Sequence, residues 1–109
     1  MARTRSFSET VGNDLRASRE FRHAFLGEAL TCMASGDVET GKIVLREYIN
    51  GTVGFIQLGA GLGRSPKSLM RMLGPTGNPQ ARNLFEMVAY LQKIEGTVLE
   101  VRARRAKAA

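Results

Sequence analysis

The chain of 109 residues contains no tryptophan, one cysteine and three prolines, and its aromatic share is only 6%. So few aromatic residues predict a core of aliphatic side chains and methionine, in a chain whose length suits one domain. The lone thiol of Cys32 excludes an intramolecular disulfide and a cysteine-rich zinc site, and it is compatible with a reducing cytoplasm. No apolar run has the length of a membrane span. Residues 1–6 are basic but no apolar stretch follows them, so no signal peptide is expected.

The sequence also lacks any pattern that indicates an enzyme. His23 is the only histidine, and no nucleophile or set of metal ligands accompanies it at a catalytic spacing. The short run Gly61-Leu62-Gly63 is not a dinucleotide-binding loop, because the loop needs more glycines and a preceding strand. We therefore expect no catalytic residues, no metal and no cofactor.

Acidic residues are missing from one long stretch of the chain. Residues 1–50 carry seven basic and seven acidic residues, whereas residues 51–109 carry nine basic and three acidic ones, which accounts for the net charge of +6. No acidic residue lies between Glu47 and Glu86. A solvated surface usually mixes both signs of charge, so we expect this stretch to meet an anionic partner such as the phosphates of nucleic acid.

Apolar spacing and capping residues predict an all-α bundle of about five to six helices. The expected helices cover residues 9–17, 19–34, 38–50, 55–61, a fifth from Ser65-Pro66 to 73, and a sixth from Asn78-Pro79 to 95. Residues 97–101 form either a short strand or an extended tail. We expect a single domain over residues 1–109, with an N-terminal helical layer at 6–36, a helix-turn-helix core at 37–95 and a basic flexible tail at 102–109.

The most informative segment is 55–73, where two short helices are joined by a turn that contains glycine. An apolar Leu58, a small Gly59 at the helix crossing and a turn at Gly63 are typical of a helix-turn-helix. In that motif the second helix lies in the major groove of DNA and its outer side chains contact base edges. The candidate DNA contacts are Gln57, Arg64, Ser65, Lys67, Ser68, Met70, Arg71 and Arg82.

An ordinary pair of surface helices with a glycine-rich connection would show the same spacing. The absence of acidic residues from 48 to 85 favours the DNA-binding interpretation, because it leaves the segment uniformly basic. Lys67 and Arg71 are four residues apart and share one face of the second helix. An arginine in that position can bind guanine with two hydrogen bonds.

The run from Gly54 to Pro79 also resembles the addiction-module antidote (antitoxin) family and related prophage-type regulators with a lambda-repressor-like domain. The similarity rests on Leu58-Gly59, Gly63, a second helix that begins at Ser65, and the start of the next helix at Gly77-Asn78-Pro79. It covers about residues 37–101, and Gly59 stands where the family usually has alanine. The resemblance implies a lambda-repressor-like fold, DNA binding and, for an antitoxin, a toxin protein as partner.

Together these patterns predict a cytoplasmic regulator that binds specific duplex DNA and represses transcription. We expect a homodimer, because one recognition helix contacts too few base pairs to define a unique site. Two alternatives stay open. One is an antitoxin that acts mainly by binding a toxin protein, and the other is a protein-interaction module whose basic face meets an acidic partner.

Overall fold

Helices supply the regular structure of the computed structural model, which describes the backbone of residues 3–107 and the side chains of residues 7–107. The last two residues of the predicted basic tail, 108 and 109, therefore lie outside the described residues. Six helices follow in this order: α1 (Arg3–Ala17), α2 (Arg19–Ala34), α3 (Val38–Gly51), α4 (Gly54–Leu62), α5 (Pro66–Met72) and α6 (Ala81–Glu95). The predicted all-α fold class is confirmed.

Side-chain caps and glycine set several helix ends where the sequence predicts them. Ser18 Oγ accepts a hydrogen bond from Phe21 N at 3.0 Å at the start of α2. Asp37 Oδ1 accepts one from Thr40 N at 3.2 Å at the start of α3. Each cap pairs an amide that the first turn of a helix leaves without a partner. Gly96, with a φ of 72°, ends α6 in the left-handed region that glycine adopts at little cost.

Two predicted helix starts differ from the structure by more than one residue. Helix α1 begins at Arg3 rather than at residue 9, because residues 3–8 contain no proline or glycine that would end a helix. Helix α6 begins at Ala81 rather than at the Asn78-Pro79 pair. The backbone of Gln80 is still extended, and the first hydrogen bond of the helix runs from Leu84 N to Gln80 O at 3.0 Å.

The prediction of a short strand over residues 97–101 is wrong, and the structure shows the alternative, an extended tail. After Gly96 the chain turns back along α6, because Thr97 N donates to Gln92 O at 3.0 Å and Leu99 N donates to Gln92 Oε1 at 2.8 Å. Leu99 packs against the core. Residues 97–101 form no strand within the described chain. Residues such as Val98 and Val101 are common in strands, but a strand needs a second strand to pair its backbone.

One hydrophobic cluster joins all six helices. Its buried members are Val11, Leu15, Leu26, Ala29, Leu45, Tyr48, Ile49, Phe55, Leu58, Leu69, Leu73, Met87, Val88 and Leu91. Apart from Tyr48 and Phe55 they are aliphatic residues or methionine, as the shortage of aromatic residues predicts. Burying each large side chain contributes roughly 1.5–3 kcal/mol. Helices α1 and α2 therefore share their core with the remaining four helices.

The N-terminal helices are fixed by close packing and by one arginine. A Cβ added to Gly51 in α3 would lie 2.6 Å from Leu15 Cδ1 in α1, so glycine allows these two helices to approach. Arg22 Nε donates to Glu95 Oε1 at 2.9 Å, and its Nη1 donates to Leu15 O at 2.9 Å, which ties α2 to the ends of α1 and α6. Within the described part of the chain, no helix is long and apolar enough to cross a membrane.

Candidate nucleic-acid interface

Helices α4 and α5 are joined by three residues, 63–65, in the arrangement that the sequence predicts. Gly63 has a φ of 69°, which reverses the chain as expected. Arg64 N donates to Gly59 O at 3.0 Å, so the turn folds back onto α4. A Cβ added at Gly59 would lie only 2.5 Å from Arg64 O. The small residue predicted at this crossing is therefore required by the backbone of the turn.

Helix α5 is held by its cap and by the core. Ser65 Oγ accepts a hydrogen bond from Ser68 N at 3.1 Å, and Pro66 occupies the first helical position. Leu69 and Leu73 are buried on the inner side. A helix of seven residues is unstable by itself in water. Its position is therefore fixed by these buried contacts. The outer side chains are not needed to hold the helix in place.

The outer face of α5 carries five of the predicted contacts. Ser65, Lys67, Met70 and Arg71 are exposed, and Ser68 is half-buried. Lys67 and Arg71 lie one turn apart, and neither side chain has a hydrogen bond or ion pair with any residue that the structure describes. Both positive charges are therefore available to an anionic ligand.

Arg64 differs from the other candidates because its guanidinium is bonded to α6. Arg64 Nη2 donates to Asn83 Oδ1 at 2.7 Å and lies 3.5 Å from Glu86 Oε1. The side chain of Arg64 is 35% exposed. Glu86 is the acidic residue at which the acid-free stretch ends, and the fold brings it back to the turn. Arg64 thus braces the turn against α6, and Glu86 offsets its charge.

Gln57 and Arg82 lie outside α5 and are both exposed. Gln57 is on α4, the helix before the turn. Arg82 precedes Asn83 at the start of α6, and the bond from Arg64 to Asn83 brings this end of α6 to the turn. Arg82 therefore lies beside the pair of helices α4 and α5 and adds a further unpaired charge among the described residues.

Lys42 in α3 holds the loop after α5, and the sequence analysis missed it. Lys42 is 2% exposed, and its Nζ donates to Gly74 O at 3.0 Å and to Gly77 O at 2.7 Å. Glu39 Oε2 lies 3.2 Å from the same nitrogen. A charge is costly to bury unless it is paired and hydrogen-bonded, and these three oxygens meet that need.

A sequence signal for Lys42 exists but is weak. Lys42 precedes Leu45 by three residues and Ile49 by seven, which places it on the apolar face of α3. The spacing from Glu39 to Lys42 also suits an ordinary ion pair on a helix surface. Only the folded chain shows that the carbonyls of a loop more than thirty residues away meet this lysine.

The same loop packs closely against the end of α5. Gly77 N donates to Gly74 O at 3.0 Å, which makes the loop a tight turn. A Cβ added at Gly77 would overlap the carbonyl oxygens of Arg71 and Met72. Glycine at this position therefore lets the loop cover the C-terminal end of α5, and Lys42 holds the loop there from the other side.

Within residues 7–107, the remaining reactive side chains form no second site. His23 Nε2 lies 3.7 Å from Glu95 Oε2, with no nucleophile or metal ligand set around it among the described residues. Partial burial, assisted by Glu28, raises the pKa of the Cys32 thiol above its usual range, which makes it less reactive. In the part of the chain that the structure describes, no group of three or more His, Cys, Asp or Glu side chains could hold a metal ion.

No protein-family model, curated protein or solved structure matches this chain.

Proposed function

We propose that the protein is a sequence-specific regulator that binds duplex DNA, with α5 as the helix that enters the major groove. The observation that carries this proposal is the pair Lys67 and Arg71, both unpaired among the described residues, on the exposed face of a short helix whose opposite face is buried. What distinguishes this pair from other exposed cations is that the stretch 48–85 around it contains no acidic residue. The two cations face outward, and Leu69 and Leu73 hold the opposite face in the core.

The residue types on this face suit base-edge recognition. An arginine binds guanine O6 and N7 through two hydrogen bonds, and serine contacts several base edges. Arg71 and Ser65 supply these groups, while Met70, 46% exposed, offers an apolar contact for a thymine methyl. In this proposal Lys67 and Arg82 neutralise phosphates, and such contacts position the protein on the duplex.

The proposal includes a homodimer that represses transcription in the cytoplasm. One α5 helix reads only a few base pairs, whereas two copies related by a twofold axis read half-sites about 34 Å apart, one turn of DNA. A dimer bound at such a site would block access to a promoter. A bound sequence with two inverted half-sites would support this arrangement.

Selection of bound sequences from a random duplex library, followed by titration of Arg71→Ala, tests the proposal. Arg71 is exposed and unpaired in the described chain, so its loss should change the free energy of unfolding by no more than about 0.5 kcal/mol. Binding to the selected duplex should weaken by roughly 1–3 kcal/mol, and binding to random duplex should weaken less.

Arg19→Ala is the matched control, because Arg19 is also an exposed arginine but lies on α2. It should leave both affinities unchanged. Leu69→Ala should instead lower the free energy of unfolding by roughly 2–5 kcal/mol, because it removes a fully buried leucine. If Arg71→Ala binds the selected duplex as tightly as the parent, α5 is not the recognition helix. If no duplex is bound at all, an acidic protein or a toxin becomes the partner to seek.

A further inference from the structure

The C-terminal tail, residues 102–107, carries positive charge that lies outside the proposed α5 interface. It contains Arg102, Arg104, Arg105 and Lys107, with alanine at the other two positions. All six residues are exposed. The hydrogen bond that Arg104 Nη1 donates to Arg105 O, at 3.4 Å, is long and involves no acid. The four cations are therefore not neutralised by any carboxylate in the described chain.

The fold directs the start of this tail back along α6. Gly96 reverses the chain, and Leu99 N is bonded to the side chain of Gln92, one turn before the helix ends. From Gln92 to Arg82, at the opposite end of α6, the helix spans about 15 Å at 1.5 Å per residue. Residues 100–107 can extend over about 26 Å. The tail is thus long enough to reach the end of α6 that lies beside the α4–α5 turn.

We propose that residues 102–107 form an arm that binds the DNA phosphates flanking the α5 contact, an inference that rests on the proposed function. The arm neutralises phosphates and reads no bases, because it offers charge on an extended chain without a fixed geometry. The composition favours DNA over a protein partner, since the tail holds four cations and no aromatic or large apolar residue that could form the core of a protein interface. The arm strengthens binding to every duplex by the same factor.

Salt titration of paired variants tests the arm. Arg104→Gln/Arg105→Gln removes two tail charges, and Arg16→Gln/Arg19→Gln removes two exposed charges from α1 and the start of α2. Each phosphate that the protein no longer neutralises makes the slope of log affinity against log salt shallower by about 0.9. The slope of the tail variant should therefore be shallower by about 1.8 on both selected and random duplexes. The control variant should keep the parent slope.

The failure of the arm and the failure of the DNA proposal give different results. If the parent binds with a steep slope and both variants keep that slope, the tail does not touch phosphate and the arm is refuted. If the tail variant loses affinity for the selected duplex only, the tail reads bases, and the inference is again refuted. If the parent shows no salt-dependent binding to any duplex, both the arm and the proposed function fail.

Discussion

Replacing Lys42 by methionine tests whether a buried lysine in α3 positions the loop behind α5. Methionine fills a similar volume but cannot donate the bonds to Gly74 O and Gly77 O, at 3.0 and 2.7 Å. Hydrogen bonds to a charged group contribute about 1.5–3 kcal/mol each. Removing the ammonium also removes the cost of burying it, which is several kcal/mol. We therefore expect a net loss of about 1–3 kcal/mol, the range for a buried polar group left unpaired.

The assay is urea unfolding followed by helical circular dichroism, since the chain has no tryptophan to report by fluorescence. The matched control is Glu39→Gln, which removes the charge of the other partner in the pair. The side chain of Glu39 is 68% exposed, and glutamine keeps an oxygen that can accept a hydrogen bond from Lys42 Nζ. The two carbonyl bonds of Lys42 also remain, so this change should cost less than Lys42→Met, about 1 kcal/mol. Binding to the selected duplex gives a second measurement, and Lys42→Met should weaken it more than binding to random duplex.

One result would refute the reasoning about this loop. If Lys42→Met unfolds at the same urea concentration as Glu39→Gln and keeps the parent's preference for the selected duplex, the two carbonyl bonds do not stabilise the loop. A loss of stability without a loss of preference would show that the loop supports the fold but does not position α5.

Two further predictions concern single positions in the core and the loop. Gly77→Ala should destabilise the protein by about 1–3 kcal/mol, because its Cβ would overlap backbone carbonyls. Gly74→Ala is the control: a Cβ at Gly74 would lie 3.4 Å from Arg71 O, an ordinary contact, so this variant should melt like the parent. Burial, with a smaller contribution from the charge of Glu95, raises the pKa of Tyr48 to about 12. The unfolded chain loses this proton near pH 10, so the free energy of unfolding should fall by roughly 2 kcal/mol between about pH 10 and 11.5. Tyr48→Phe should remove this part of the fall in urea titrations, and equal losses in both proteins would contradict it.

The fold could be predicted from the sequence wherever a local signal decides the structure. Ser18 and Asp37 cap their helices through their own side chains, and Gly63 and Gly96 take the left-handed backbone that glycine adopts at low cost. These signals act over three or four residues, so they are visible in one sequence. The sequence places the start of α6 too early because no side-chain cap marks it: Gln80 makes no side-chain hydrogen bond to the helix.

The candidate site could be predicted only in part, because its polar contacts join residues far apart in the chain. The outward face of α5 follows from helical spacing and from the burial of Leu69, and both hold in the structure. The bond from Arg64 to Asn83 spans 19 residues, and the bond from Lys42 to Gly77 spans 35. The periodicity of the sequence does not indicate such distant partners. In the sequence, the buried Lys42 therefore looks like a surface lysine, and Arg64, which is bonded to α6, looks like an unpaired arginine.

These long-range contacts change how the charge of the acid-free stretch should be understood. The stretch holds four cations, at positions 64, 67, 71 and 82, and the sequence makes them equal candidates. The fold returns Glu86 to Arg64, so one of the four is already offset, and it serves the turn. The charges left for an anionic partner are then two on α5 and one at the start of α6. In the proposed complex, sequence discrimination should depend on Arg71, because a guanidinium can bind guanine with two hydrogen bonds. Overall affinity should depend on Lys67 and Arg82, which would neutralise phosphates.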